Sequence, residues 1–176
     1  MINYYDWAEH QSKMHSNKIA ITDYFLKKKI SYKELNLSAC KIASFLKKKG
    51  IGHSDRVGIL SKNHSIFFEL QFACSKTGSI MVPLNWRLTA NELAYILKDC
   101  EPSLLIVDDC FEHIANQLRS LMPNITIQFF NSDEKSNEFF ENIKDCPGDF
   151  KSVAISLDDL IMIMYTSGTT GHPKGA

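Results

Sequence analysis

An α/β fold, with a mostly parallel sheet flanked by helices, is the architecture this chain predicts. Three observations point to it. Short apolar runs at 56–60, 79–82 and 104–107 are each bounded by polar or turn-forming residues, as strands are. Between them lie segments whose apolar residues recur at helical spacing, which suits crossover connections. The run Leu104-Leu105-Ile106-Val107 is apolar without alternation, the mark of a strand covered on both faces.

The elements follow in order. Residues 18–22 and 29–32 read as two short strands around a turn near 25–28. Ser31-Tyr32-Lys33-Glu34 has the Ser-x-x-Glu pattern in which two side chains satisfy free N–H groups at a helix start. The helix it opens carries Leu35, Ala39, Ile42, Ala43, Phe45 and Leu46 on one face, and Gly50 and Gly52 end it. After the strand at 56–60, Asn63 is the predicted cap of a helix running through Ile66, Phe67, Leu70, Ala73 and Cys74 to Gly78. Pro83 is expected to close the strand at 79–82. Thr89-Ala90-Asn91-Glu92 repeats the capping pattern before Leu93, Tyr95, Ile96 and Leu97. A helix at 112–121 and a strand near 125–130 complete the alternation. Residues 131–148 are polar apart from Phe139, Phe140 and Ile143, and read as a surface insertion or a short packed helix. Leu160-Ile161-Met162-Ile163-Met164 predicts one more buried strand.

Composition narrows the function. The 176 residues leave room for one domain with a sizeable core, and 44% hydrophobic with 23% charged residues is ordinary for a globular protein. Twenty basic residues balance twenty acidic ones, which argues against a nucleic-acid partner held by bulk charge. Lys47-Lys48-Lys49-Gly50 reads as the last turn of a helix, where cations suit the dipole. The five cysteines contain no C-x-x-C pair and point to a reducing compartment. The six histidines form no ligand cluster, so no metal site is expected. The first residues lack the basic-then-apolar pattern of a signal peptide, and no apolar stretch approaches the ~20 residues that cross a bilayer. The expected location is the cytoplasm, with no transmembrane segment. Phe67-Phe68, Met162 and Met164 are expected in the core, and Trp86-Arg87 is read as structural, with the indole beside Pro83 and Leu84.

The last dozen residues carry the chemistry: Tyr165-Thr166-Ser167-Gly168-Thr169-Thr170-Gly171-His172-Pro173-Lys174-Gly175-Ala176. Small residues let backbone N–H groups approach an anion, hydroxyls add donors, and Lys174 supplies a point charge. The loop fits the Walker A pattern poorly. Lys174 does not follow Gly171 directly, Gly175 stands where a magnesium-binding hydroxyl belongs, and Pro173 has no N–H.

Residues 165–175 resemble the signature loop of the AMP-forming adenylating enzymes, the superfamily of acyl-CoA synthetases, luciferase and peptide-synthetase adenylation domains. Its usual form is [YT]-T-S-G-[ST]-T-G-x-P-K-G, and every fixed position matches, with His172 in the free slot. Asp55-Arg56-Val57-Gly58-Ile59-Leu60, residues 78–85, residues 88–93 and residues 101–108 are also similar to acyl-CoA synthetases.

The resemblance implies ATP, magnesium and coenzyme A as cofactors of the full-length enzyme and a small-molecule carboxylate, a fatty acid or a related acid, as substrate. It implies a phosphate-binding role for Thr166, Ser167, Gly168, Thr169, Thr170, Gly171 and Lys174, with no catalytic residue in this chain. His172 carries no implied role. Family members are longer, so residues 1–176 are expected to be the truncated N-terminal part of an adenylation domain, inactive alone. The alternatives are a non-catalytic remnant or a partner-dependent fragment, and a stand-alone nucleotide-binding module. An unpaired strand at 160–164 implies self-association through that edge.

Overall fold

The computed structural model describes residues 6–24, 27–131, 138–167 and 173–176. Asp6 opens α1 (Trp7–Met14) by accepting the Glu9 N–H on Oδ1 at 2.9 Å. Then β1 (Ile19–Asp23) pairs antiparallel with β2 (Lys28–Ser31), close to the expected bounds; the predicted turn falls partly outside the described residues. α2 (Tyr32–Lys48) begins with the predicted capping box: Glu34 Oε2 accepts the Ser31 N–H at 2.8 Å while Ser31 Oγ accepts the Glu34 N–H at 3.3 Å. Gly50, at φ 79°, takes the left-handed turn that follows.

β3 (Arg56–Leu60) leads through α3 (Ile66–Thr77) to β4 (Ile80–Leu84), and the start of α3 differs from the expected cap. The N-cap is Ser65, whose side chain makes no cap bond, and His64 just before it, not Asn63, accepts the Ile66 N–H on Nδ1 at 3.2 Å. That bond leaves the proton on Nε2, which is buried with no hydrogen-bond partner among the described residues. α4 (Ala90–Cys100) starts from the second predicted capping box, on Thr89 and Glu92. β5 (Leu104–Asp108), buried at all five positions, is followed by a 3-10 turn (Asp109–Phe111), α5 (Glu112–Leu121) and β6 (Ile127–Phe130).

The sheet is parallel with order β4-β3-β5-β6. The chain moves one way from β3 to β4 and the other way from β4 to β5. Right-handed crossovers therefore put α3 and α4 on opposite faces. One apolar layer joins α2 and α3 to the sheet through Ile42, Leu46, Leu70, Ile59 and Ile106. The other joins α4 and α5 through Leu93, Leu97, Leu118, Leu105 and Val107. The last helix, α6 (Glu138–Lys144), buries Phe139 and Ile143 against the first layer, with the Phe139 and Phe45 rings edge to face at 5.6 Å.

Past α6 the chain runs as a strap over α2 and α3. Lys41 Nζ donates to the Lys144 carbonyl (2.7 Å), Ser44 Oγ to that of Pro147 (3.0 Å), and the Val153 N–H to that of Lys76 (2.9 Å). Beneath it, Lys76, 1% exposed, points its ammonium at Asp6 Oδ2 (2.5 Å) and Asn36 Oδ1 (2.8 Å), and Ser152 Oγ donates to the same carboxylate (2.5 Å). Four distant parts of the sequence thus meet on one buried charge pair.

Two strand expectations are corrected. Pro83 lies inside β4 instead of closing it, paired by register with Ile59. This is allowed because β4 is an edge strand of the four-stranded sheet, where one missing N–H can face away from β3. Residues 160–164 do not form a buried strand: Leu160, Ile161 and Met164 are exposed. They touch the sheet through a single parallel bridge, Met162 to Met81, made by Met81 N to Ile161 O (3.1 Å) and Ile163 N to Met81 O (3.0 Å). The next residue of β4 facing outward is Pro83, which has no N–H to offer, so the ladder stops.

Candidate functional site

Immediately past Met162 the chain turns back on itself. β7 (Tyr165–Ser167) and β8 (Pro173–Gly175) pair antiparallel with Tyr165 opposite Gly175, Thr166 opposite Lys174 and Ser167 opposite Pro173. Just outside the strands, Met164 and Ala176 exchange both backbone hydrogen bonds, at 2.9 and 3.0 Å. Bonded and non-bonded pairs alternate along such a ladder. Thr166 and Lys174 are therefore the next pair whose backbones face each other directly, and both residues are exposed. Of the residues expected to grip phosphate, Thr166, Ser167 and Lys174 sit on the two arms of this hairpin. Gly168, Thr169, Thr170 and Gly171 lie outside the described residues, as does His172.

The base of the hairpin is held by the first residue of the motif, to which the sequence assigned no role of its own. Tyr165 packs against the α4 layer, and its hydroxyl donates to the carboxylate of Asp99 on α4. Burial, with the Asp99 hydrogen bond next, pushes the Tyr165 phenol well above its ordinary value of 10. Burial likewise pushes the neighbouring Cys100 thiol up to about 11, so it stays a neutral thiol. Gly175 leaves no room for a side chain. A Cβ there would lie 2.9 Å from Ile163 Cγ2 and 3.2 Å from Tyr165 Cζ, so β8 rests directly on the tyrosine ring. Tyr165 and Asp99 are 66 residues apart, and nothing in the pattern of α4 singles out that carboxylate.

A cavity of about 540 Å³ opens near this segment, lined by Phe67, Phe68, Gln71, Pro83 and Met162 among others. This corrects the expected core placement of the aromatic and methionine pairs. Phe67 and Met162 only flank the core, whereas Phe68 and Met164 are 50% and 55% exposed. Phe68 lies on α3, whose Ile66, Leu70, Ala73 and Cys74 do the packing, and Met164 lies between the Met162 bridge and β7. Trp86 is partly buried near the Phe111 ring (6.2 Å), with the Arg87 guanidinium over the indole at 4.2 Å from its centre.

A parallel α/β layer that delivers a Ser/Thr/Gly-rich hairpin ending in lysine is the N-terminal architecture of adenylate-forming enzymes, and the chain belongs to the family described as AMP-binding enzyme, whose model matches residues 8–176. It is 31% identical over 97% of its length to an indoleacetate–CoA ligase of Aromatoleum aromaticum and covers 34% of that protein. Among solved structures, it superposes on an anthranilate–CoA ligase bound to anthranoyl-AMP with TM-score 0.89 and 27% identity, covering 99% of this chain and 35% of that one. It also superposes on ATP-bound MatB of Rhodopseudomonas palustris with TM-score 0.80 and 28% identity, covering 96% of this chain and 34% of that one. The chain thus spans about a third of the length of the relatives it matches.

Proposed function

We propose that residues 165–175 are the pyrophosphate-gripping segment of an AMP-forming acid–thiol ligase, and that residues 1–176 are the N-terminal part of its adenylation domain. One observation carries this reading. Lys174 stands opposite Thr166, both exposed, in a chain that resembles ATP-bound MatB and an anthranilate–CoA ligase bound to anthranoyl-AMP.

In the proposed reaction a carboxylate oxygen attacks the α-phosphorus of ATP. A new P–O bond forms, the bond to pyrophosphate breaks, and its electron pair leaves with pyrophosphate. Negative charge grows on the β- and γ-oxygens, so donors fixed there lower the barrier. Thr166, Ser167, Thr169 and Thr170 supply hydroxyl or backbone donors in this reading. Gly168 and Gly171 let the loop close on the phosphates, and Lys174 neutralises charge. Each charge-assisted contact is worth about 1.5–3 kcal/mol. The second step, in which the thiol of coenzyme A displaces AMP, is assigned to the same full-length enzyme.

A fatty acid or related carboxylate is the proposed substrate and the cytoplasm the proposed location. No helix among the described residues is long and apolar enough to cross a membrane. Magnesium would arrive with the triphosphate and would neutralise part of its charge. The described residues contain no group of three or more His, Cys, Asp or Glu side chains that would hold a metal ion.

The test is a graft. Residues 1–176 replace the matching third of the indoleacetate–CoA ligase, and carboxylate-dependent ATP–pyrophosphate exchange is measured. The graft is expected to be active, Lys174→Ala to slow it by about 10²-fold or more, and the isolated chain to show no exchange. An indifferent Lys174→Ala variant sinks the grip, and exchange by the isolated chain sinks the partial-domain reading.

A further inference from the structure

We propose that Tyr165 and Asp99 are positioning residues: their hydrogen bond anchors the base of the hairpin to α4 and so fixes where Lys174 is presented. The proposal rests on the reading of the hairpin as a phosphate grip. The geometry has three parts. Toward the sheet, the only backbone pairing of the segment before the hairpin among the described residues is the Met162–Met81 bridge, since Pro83 ends that ladder, and the side chains of Met162 and Ile163 pack against the two core layers. This attachment stops two residues short of Tyr165, where the hairpin begins.

The Tyr165 hydroxyl supplies a second point of attachment. It reaches a carboxylate on α4, whose Leu93, Ile96 and Leu97 are buried in the core, so the acceptor stands on a fixed support. The third part is the contact with the other arm. Gly175 lies against both Ile163 and the Tyr165 ring, where a Cβ would stand 2.9 and 3.2 Å away, so β8 is seated on these two side chains. Lys174 is the neighbouring residue of β8. The bridge, the packing of Ile163 and Tyr165, and the Tyr165–Asp99 hydrogen bond together define its place, and loss of the hydroxyl removes the one polar tie to α4 among them.

Asp99 is exposed and Tyr165 only half-buried, so the bond acts on local geometry more than on global stability. Tyr165→Phe keeps the ring under Gly175 and removes only the hydroxyl. Asp99→Asn keeps the shape of the acceptor and removes its charge.

The experiment uses the 176-residue chain with isotope labels. Amide exchange at Met164 and Ala176 is followed together with the titration of the Lys174 amide signal by inorganic pyrophosphate. Each single variant is expected to speed exchange at both amides about tenfold, as loss of one hydrogen bond implies. The double variant should add nothing further, and the melting temperature should stay the same. Asn at position 99 should also lower the Tyr165 phenol pKa, a spectroscopic change that a merely space-filling role would not produce. The pyrophosphate titration should weaken in step with the exchange.

Unchanged exchange in both single variants, or effects that add in the double, overturn the anchor. Faster exchange with an unaltered pyrophosphate titration overturns its role in presenting Lys174. A wild-type chain that is protected at Met164 and Ala176 yet blind to pyrophosphate removes the phosphate-grip reading and leaves the anchor decided by the exchange data alone.

Discussion

Met162 pairs in parallel with Met81, and Pro83, two residues further along β4, limits that pairing to one bridge. The backbone of the edge strand therefore decides how far the segment carrying the signature hairpin is drawn into the sheet. Apolar character alone does not.

Replacing Pro83 with valine restores an N–H facing outward from β4. The expected outcome is a longer ladder, seen as slow hydrogen exchange at the new amide of residue 83. An amide there that exchanges as fast as an exposed loop would show that something other than the missing donor stops the pairing.

Lys76→Met should destabilise the fold strongly. Lys76 is 1% exposed and the Asp6 side chain 11%, so the variant leaves a largely buried carboxylate facing a methyl group. Breaking such a pair from one side costs about 3–5 kcal/mol. Urea unfolding measures it, and Lys76→Met combined with Asp6→Asn should recover part of the loss. A single variant as stable as the wild type contradicts the buried pair.

Acid stability should depend on the same carboxylate. Burial alone would push Asp6 up, but hydrogen bonds from Lys76, Ser152 and the Glu9 N–H, with the Lys76 charge, hold it below its ordinary 3.8. A depressed folded value means the unfolded chain takes up the proton first. The contribution is complete above 3.8 and is lost as pH falls through the lower folded value. Asp6→Asn should flatten the stability profile in that acid window. Glu34, held low chiefly by the Ser31 N–H, keeps a residual slope just below 4.5. A profile that does not respond to Asp6→Asn would refute the assignment.

Gly78 closes α3 at φ 72°, with its N–H on the Cys74 carbonyl. A Cβ added there would stand 3.0 Å from the His53 ring and 3.2 Å from Val153. Gly78→Ala is therefore expected to cost more than the ~1 kcal/mol of a left-handed alanine alone. Removing the Val153 side chain in the same chain should return some of that excess in thermal unfolding. If the excess persists unchanged, the strap does not press on this turn.

Much of this fold was legible because its signals are local. Ser31 with Glu34 and Thr89 with Glu92 meet across a single turn, and the apolar run at 104–107 needs no partner to be recognised. The start of α3 was misread because Asn63 and His64 both carry acceptors. Only the backbone path decides which one reaches the Ile66 N–H. The run at 160–164 was misread because a strand is a property of two chains of atoms, and its neighbour contains a proline. The motif singled out residues 165–175 but not their pairing as two strands, and the bond from Tyr165 to Asp99 joins side chains that no periodicity relates.

The ammonium of Lys76 has a consequence for how the chain assembles. It joins residue 6 to residue 36, and Ser152 then closes on the same carboxylate from the far end of the sequence. During synthesis the first helix emerges early, and Ser152 is the last of the donors to its Asp6 carboxylate to appear, so that set of hydrogen bonds closes only once the strap has been made.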